Sequence, residues 1–180
     1  MPSKNTIDGI MQFAGRLEGI EQTTLREGLE IARLHHQVEQ VIENDLAGWG
    51  LTARQIEIME LLFHSEDGTS TPAALSEEVS LTRSAMTSAL DSLEKLGHTV
   101  RTPHPGDRRM VAVSLTPSGR SFISRHLPER YRRICSVVNV LSQRERTAML
   151  NSYQKVLDAL VRELQKKQKA PPERRTGVNA

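Results

Sequence analysis

Apolar residues return every three or four positions along most of this chain, the spacing that turns one face of an α-helix toward a core. Ile7, Ile10, Met11, Ala14 and Leu17 follow it, in a stretch weakened by Gly9, Gly15 and Gly19. They predict a short N-terminal helix or arm, of the kind that packs on a partner chain. A long helix is expected next. It opens at Thr24-Leu-Arg-Glu27, which has the form of a capping box. It carries Leu25, Leu29, Ala32, Val38, Val41, Ile42 and Leu46, and stops near Gly48. Thr52-Ala-Arg-Gln55 repeats the box and opens a helix through Ile56, Met59, Leu62 and Phe63 that ends before Ser65. The polar run from Ser65 to Thr71 reads as a turn. Thr71-Pro72 supplies an N-cap with proline in the first helical position, starting a short helix to Val79. Ser80 and Leu81 turn into the next helix, capped by Thr82 or Ser84. Its apolar back is Met86, Leu90, Leu93 and Leu96, and Gly97 ends it.

The pattern then changes period. His98 to His104 reads as a strand, Pro105-Gly106 as a turn, and Val111, Val113 and Leu115 alternate with Ala112 and Ser114 as a half-buried strand. Thr116-Pro117 opens a helix through Phe122, Ile123, Leu127, Ile134, Val138 and Leu141, in which Pro128 should produce a kink or a break. Ser142-Gln-Arg-Glu145 is a third capping box. The helix after it carries Met149, Tyr153, Val156, Leu157, Leu160, Val161 and Leu164. The fold class is therefore mainly α with a small β-hairpin: long helix, helix, helix-turn-helix, hairpin, then two long helices. The first and last of these have apolar stripes broad enough to need partners.

Composition narrows the picture. With one Trp, two Tyr and three Phe in 180 residues, the core must be aliphatic. A length of this order suggests one domain, or one domain with extensions. No apolar run approaches the roughly 18 residues of a membrane span, and the start has no signal-peptide core, so a cytoplasmic protein away from the membrane is expected. A single cysteine rules out an intramolecular disulfide. That residue, Cys135, lies among Ile134, Val137 and Val138 and is expected to be buried and inert. No nucleophile elbow, P-loop, dinucleotide fingerprint or metalloprotease motif is present, so neither an enzyme nor a cofactor is expected. His35, His36 and Glu39 have ligand chemistry, but adjacent histidines project about 100° apart on a helix, and no metal site is read there.

Lys plus Arg is 24 against 22 for Asp plus Glu, a net charge of +2. That balance is too small to argue nucleic-acid binding, so the placement of charge has to carry it. The helix starting at Thr82 presents Arg83, Ser84, Thr87 and Ser88 on one face. Arginine can bind a guanine edge bidentately, and small hydroxyls contact bases or phosphates without blocking a groove. The same residues also suit an ordinary solvated face with caps, and the face alone leaves both readings open. Asp107, Arg108 and Arg109 at the hairpin tip change that balance. Folding does not call for adjacent arginines at a turn. A tip arginine can enter the narrow minor groove, with Asp107 holding a guanidinium by a charge-assisted pair.

The run SLTRSAMTSALDSLEKLG, with RTPHPGDRRMVAVSLTPSGR after it, resembles the MarR family of bacterial regulators, winged helix-turn-helix dimers that bind palindromic operators. The resemblance extends over about residues 24–167 and is most specific at the Asp107-Arg108-Arg109 wing and the Ser-Leu-Thr-Pro-Ser-Gly that follows. It implies a recognition helix in the major groove through Thr82, Arg83, Ser84, Thr87 and Ser88, and a wing at the minor groove through Asp107, Arg108 and Arg109. It implies a homodimer on palindromic double-stranded DNA, with half-sites roughly 10 bp apart. The implied layout is an N-terminal arm at 1–23 and a MarR-like domain at 24–168, with a basic disordered tail at 169–180. Within the domain, the winged helix-turn-helix occupies about 52–116 and the dimerisation helices about 24–48 and 117–168. Family members often release DNA on binding a small ligand between the dimer helices and the DNA-binding lobe. Here that implies His35, His36, Trp49, Met59 and Phe63 as candidates, for a small aromatic or acyl compound. His98-Thr99 departs from the aliphatic pair usual at the start of the wing. The alternative is a winged-helix module that docks on protein without specific DNA binding.

Overall fold

A computed structural model describes residues 4–104, 106 and 109–169. The helices are α1 (Lys4–Ala14), α2 (Gln22–Ala47), α3 (Ala53–His64), α4 (Pro72–Glu78), α5 (Arg83–Lys95), α6 (Pro117–Val138) and α7 (Gln143–Lys169). Strand β1 (Thr69–Ser70) lies between α3 and α4, and β2 (Thr99–Pro103) and β3 (Val111–Leu115) follow α5. The chain divides into two compact units, residues 1–125 and 126–180, with the boundary inside α6.

In the first unit, α1 packs on α2 of its own chain. Ile7 and Ala14 are buried, Asp8 pairs with Arg26 at 3.2 Å, and the Gln22 amide donates to the Ala14 carbonyl at 3.1 Å. The arm thus covers Ile7 and Ala14 within its own chain, while Phe13, Leu17 and Ile20 stay exposed. The start of α2 also differs from expectation. Glu21, not Thr24, is the N-cap, its carboxylate accepting the amides of Thr23 and Thr24. The helix therefore begins before the Thr24–Glu27 box could operate. Hydrogen bonds from the Thr24 hydroxyl and from both amides favour the ionised form and hold the Glu21 pKa at about 2.

The other caps follow the sequence. Thr52 and Gln55 satisfy each other's backbone amides at 3.2 and 2.9 Å. Thr71 accepts from Ala74 ahead of Pro72, and Thr82 accepts from Ala85. Gly97 takes the left-handed conformation, φ +73°, that lets the His98 amide return to the Leu93 carbonyl. The core is aliphatic as expected: Ile56, Ile58, Met59 and Leu62 of α3, Leu90 and Leu93 of α5 and Val113 of β3 are all buried, and α3 contacts both α5 and β3.

Two sheet features were not anticipated. The turn after α3 contains β1, whose Thr69 and Ser70 pair with Ser114 and Val113, giving the strand order β1-β3-β2. In β3, Ala112 and Val113 are both buried while Val111 is exposed, so the expected alternation is not kept. This strand is central, between β1 and β2, and both α3 and α4 contact it. Gly119, at the start of α6, abuts the end of α5. A Cβ there would lie 2.0 Å from the His98 carbonyl oxygen, so only glycine fits. Thr116 ties the same junction, its hydroxyl donating to the Gly97 carbonyl at 2.6 Å and accepting from the Gly119 amide at 2.9 Å.

In α6, Pro128 does not break the helix, which continues to Val138. A proline removes one amide donor, and the turns on either side keep theirs. In the second unit, the Ser142 amide donates to Glu145 at 2.7 Å and the Glu145 amide to Ser142 at 3.4 Å, the third box. The Ser142 hydroxyl and amide lower the Glu145 pKa. Cys135 is exposed rather than buried, because Ile134, Val137 and Val138 beside it are exposed as well. The tail from residue 170 lies outside the described residues.

Candidate nucleic-acid interface

Helix α5 owes its position to its apolar back. Met86, Leu90 and Leu93 are buried, which turns the opposite face outward. Thr82, Arg83, Ser84, Thr87 and Ser88 are all exposed at its N-terminal end. The hydroxyls are locally ordered: Thr82 and Ser84 lie 3.1 Å apart, and Thr87 donates to the Arg83 carbonyl at 2.9 Å. The Arg83 side chain borders a groove of about 320 Å³ lined also by Thr71, Pro72, Thr87, Met110 and Val111. The groove thus joins the starts of α4 and α5 to the wing.

The wing is the β2–β3 hairpin. Arg101 pairs with Val113, Thr102 with Ala112 and Pro103 with Val111. The His104 amide then donates to the Met110 carbonyl at 2.9 Å. Arg109 is exposed at the tip. Asp107 and Arg108 lie outside the described residues. Of the eight residues read as DNA contacts, the structure therefore places six, five on one helix end and one on the adjoining hairpin.

The five ligand candidates are spread over several elements. His35 and His36 are on α2 and both face Glu39, at 3.4 and 3.7 Å. Trp49 is half-buried in the turn after α2, its amide donating to the Leu46 carbonyl. Met59 is fully buried in the core. Phe63 is half-buried, edge-on to His64, with the Arg120 guanidinium 5.3 Å from its ring. None of the five borders the groove at α5. No group of three or more His, Cys, Asp or Glu suited to a metal occurs among the described residues. No helix there is long and apolar enough to cross a membrane.

Sequence reasoning passed over Arg101. Its guanidinium reaches from β2 to α5 and meets Asp91 at 2.6 Å and Glu94 at 2.5 Å. The readable signal was an acidic pair at i and i+3 on α5, followed by an arginine in the next strand. His98, which replaces an aliphatic residue expected there, stacks on Phe122 at 4.7 Å, and its Nδ1 is buried without a hydrogen-bond partner. Burial lowers its pKa below the usual histidine value.

Residues 51–111 match the MarR family profile. The chain is 27% identical over 137 residues to the transcriptional repressor YetL of Bacillus subtilis, covering 76% of this chain and 82% of YetL. It is 33% identical over 100 residues to the multiple antibiotic resistance protein MarR of Salmonella typhimurium, covering 53% of this chain and 68% of that protein. The crystal structure of the S. aureus MepR–DNA complex has the same fold, with a TM-score of 0.65 at 21% identity over 73% of this chain and 96% of MepR. A third of the residues identical across two thirds of MarR itself, on a winged helix-turn-helix of this build, establishes that the chain belongs to the MarR family of transcriptional regulators.

Proposed function

We propose that this regulator binds double-stranded, palindromic operator DNA as a homodimer. Thr82, Arg83, Ser84, Thr87 and Ser88 enter the major groove, and the Asp107-Arg108-Arg109 wing reaches the minor groove. The observation that carries this reading is the exposure of all five helix residues at one end of α5, with exposed Arg109 on the hairpin that follows. A helix of this kind needs a bare, small-residue face to fit a groove about 12 Å wide. MepR was solved on DNA with the same fold, which supports the geometry.

The dimer rests on the exposed apolar residues of α2, α6 and α7, including Val41, Val137, Leu150 and Leu160. DNA in the cytoplasm is the expected partner. Control is repression, relieved by a small aromatic or acyl ligand, for which His35, His36, Trp49, Met59 and Phe63 are the candidate contacts. The groove beside Arg83 is a second surface on which a ligand would compete with DNA.

The test is binding to duplexes selected from a random library by the wild-type protein. Arg83→Ala and Arg109→Ala should each weaken binding by about 1–3 kcal/mol, with unfolding midpoints unchanged. If both bind as wild type does, the assigned face is wrong.

A further inference from the structure

We propose that Arg101 is a positioning residue that locks the recognition helix to the wing, so that both meet DNA at a fixed separation. The inference rests on the DNA-reading proposal above and extends it to a residue outside the contact surface.

Three residues of α5 receive Arg101. Thr87, Asp91 and Glu94 are spaced by four and three, so they share one ridge of the helix. One guanidinium nitrogen, Nη1, lies 2.6 Å from Asp91 Oδ1 and 2.5 Å from Glu94 Oε2. The other, Nη2, donates to the Thr87 carbonyl at 3.4 Å. The Arg101 backbone amide donates to Glu94 Oε1 at 2.9 Å. Glu94 thus grips the strand by main chain and side chain at once. Such a pair of holds fixes rotation as well as distance, which a lone surface ion pair does not do.

The link has a direction in the fold. Thr87 is one of the residues read as a DNA contact, and β2 leads into the wing. A rotation of α5 would swing Arg83 and Thr87 together, and productive contacts tolerate only about 0.5 Å of misplacement. Asp91 and Glu94 also put two negative charges on the helix that has to approach phosphates. Their placement opposes DNA binding unless they serve Arg101.

That opposition gives the test. If Arg101 simply contacts phosphate, then Asp91→Asn with Glu94→Gln removes repulsion and frees the guanidinium, so affinity rises or holds. If Arg101 positions the helix, the same variant loses affinity for a specific duplex although it has become more positive. The probes are a duplex selected by the wild-type protein from a random library and a scrambled duplex of equal composition. The double variant and Arg101→Lys should each bind the selected duplex on the order of tenfold more weakly. Binding to the scrambled duplex should hold or tighten. Undiminished binding of the selected duplex by the double variant overturns the proposal. So does an equal loss on both duplexes in Arg101→Ala.

Amide hydrogen exchange in DNA-free protein gives a readout independent of DNA. Exchange across α5 and β2 should accelerate in both variants at unchanged thermal midpoint, and unaltered exchange overturns the lock. Should the wild type select no duplex, the DNA-reading proposal falls, while the exchange result still decides whether Arg101 holds the helix.

Discussion

Between Leu51 and Ile123 the large aliphatic side chains are mostly inside: Ile56, Ile58, Leu62, Leu90 and Ile123 are fully buried. From Ile134 onward the same residue types are outside, with Leu150 71% and Val140 81% exposed. The two regions do not differ in hydrophobic character, since both carry aliphatic residues at helical spacing. They differ in what the chain supplies opposite them. In the first, three helices and a sheet close over one another. In the second, the end of α6 and the whole of α7 leave their apolar stripes exposed. Apolar area left in water costs about 25 cal/mol per Å², so a stripe of that length argues for a second chain. Periodicity reports that a face will be buried, and only the count of neighbouring elements reports by whom.

The largest effect is expected where the first region has no slack. Gly119→Ala forces a Cβ against the His98 carbonyl and should cost about 3 kcal/mol, read by denaturant unfolding. A loss within a few tenths of wild type would show that the junction between α5 and α6 yields. The second region should respond in assembly instead. Leu157→Asp with Leu160→Asp replaces side chains 53% and 58% exposed in the protomer. Sedimentation should show the dimer converted to monomer, and the unfolding midpoint should no longer rise with protein concentration. An unchanged sedimentation coefficient would remove the dimer face from α7.

The smallest effect is a pH dependence confined to the first region. Because burial lowers the His98 pKa, the folded state disfavours the protonated ring. Above the ordinary value near 6.5 both states are neutral and the group is silent. As pH falls through that value the unfolded chain takes up the proton first, and stability declines until the folded pKa is passed. His98→Leu should remove this acid-side decline. If the slope of stability against pH between about 7 and 5 is the same in the variant, His98 is not its source.

What the sequence made legible was local. Thr52 with Gln55, Thr71 with Pro72, Thr82, Thr116 with Pro117 and Ser142 with Glu145 each act within four residues, and each stands where it was read. Glu21 was missed because glutamate is a weak N-cap by preference, and Thr24 nearby offered a more familiar pattern. Strand β1 is two residues long and exists only by pairing with Ser114 and Val113, a partnership no local pattern records. The Arg101 lock spans seven to fourteen residues of sequence, beyond the reach of a helical or strand period. The exposed polar face of α5 was legible because its residues fall within two turns of one helix. The ligand candidates were chosen by type, and the fold sets them on several different elements.

The strand order β1-β3-β2 leaves β2 at the rim of the sheet, where a projecting hairpin usually offers free amides to any passing strand. His104 spends its amide inward on Met110, and the alternation along β2 turns residues 101 and 103 outward. The outward amide at 101 is occupied by Glu94, and at 103 proline has no amide to give. Along β2, therefore, neither residue 101 nor residue 103 offers a free amide to a passing strand, and this edge of the wing is blunted against strand addition.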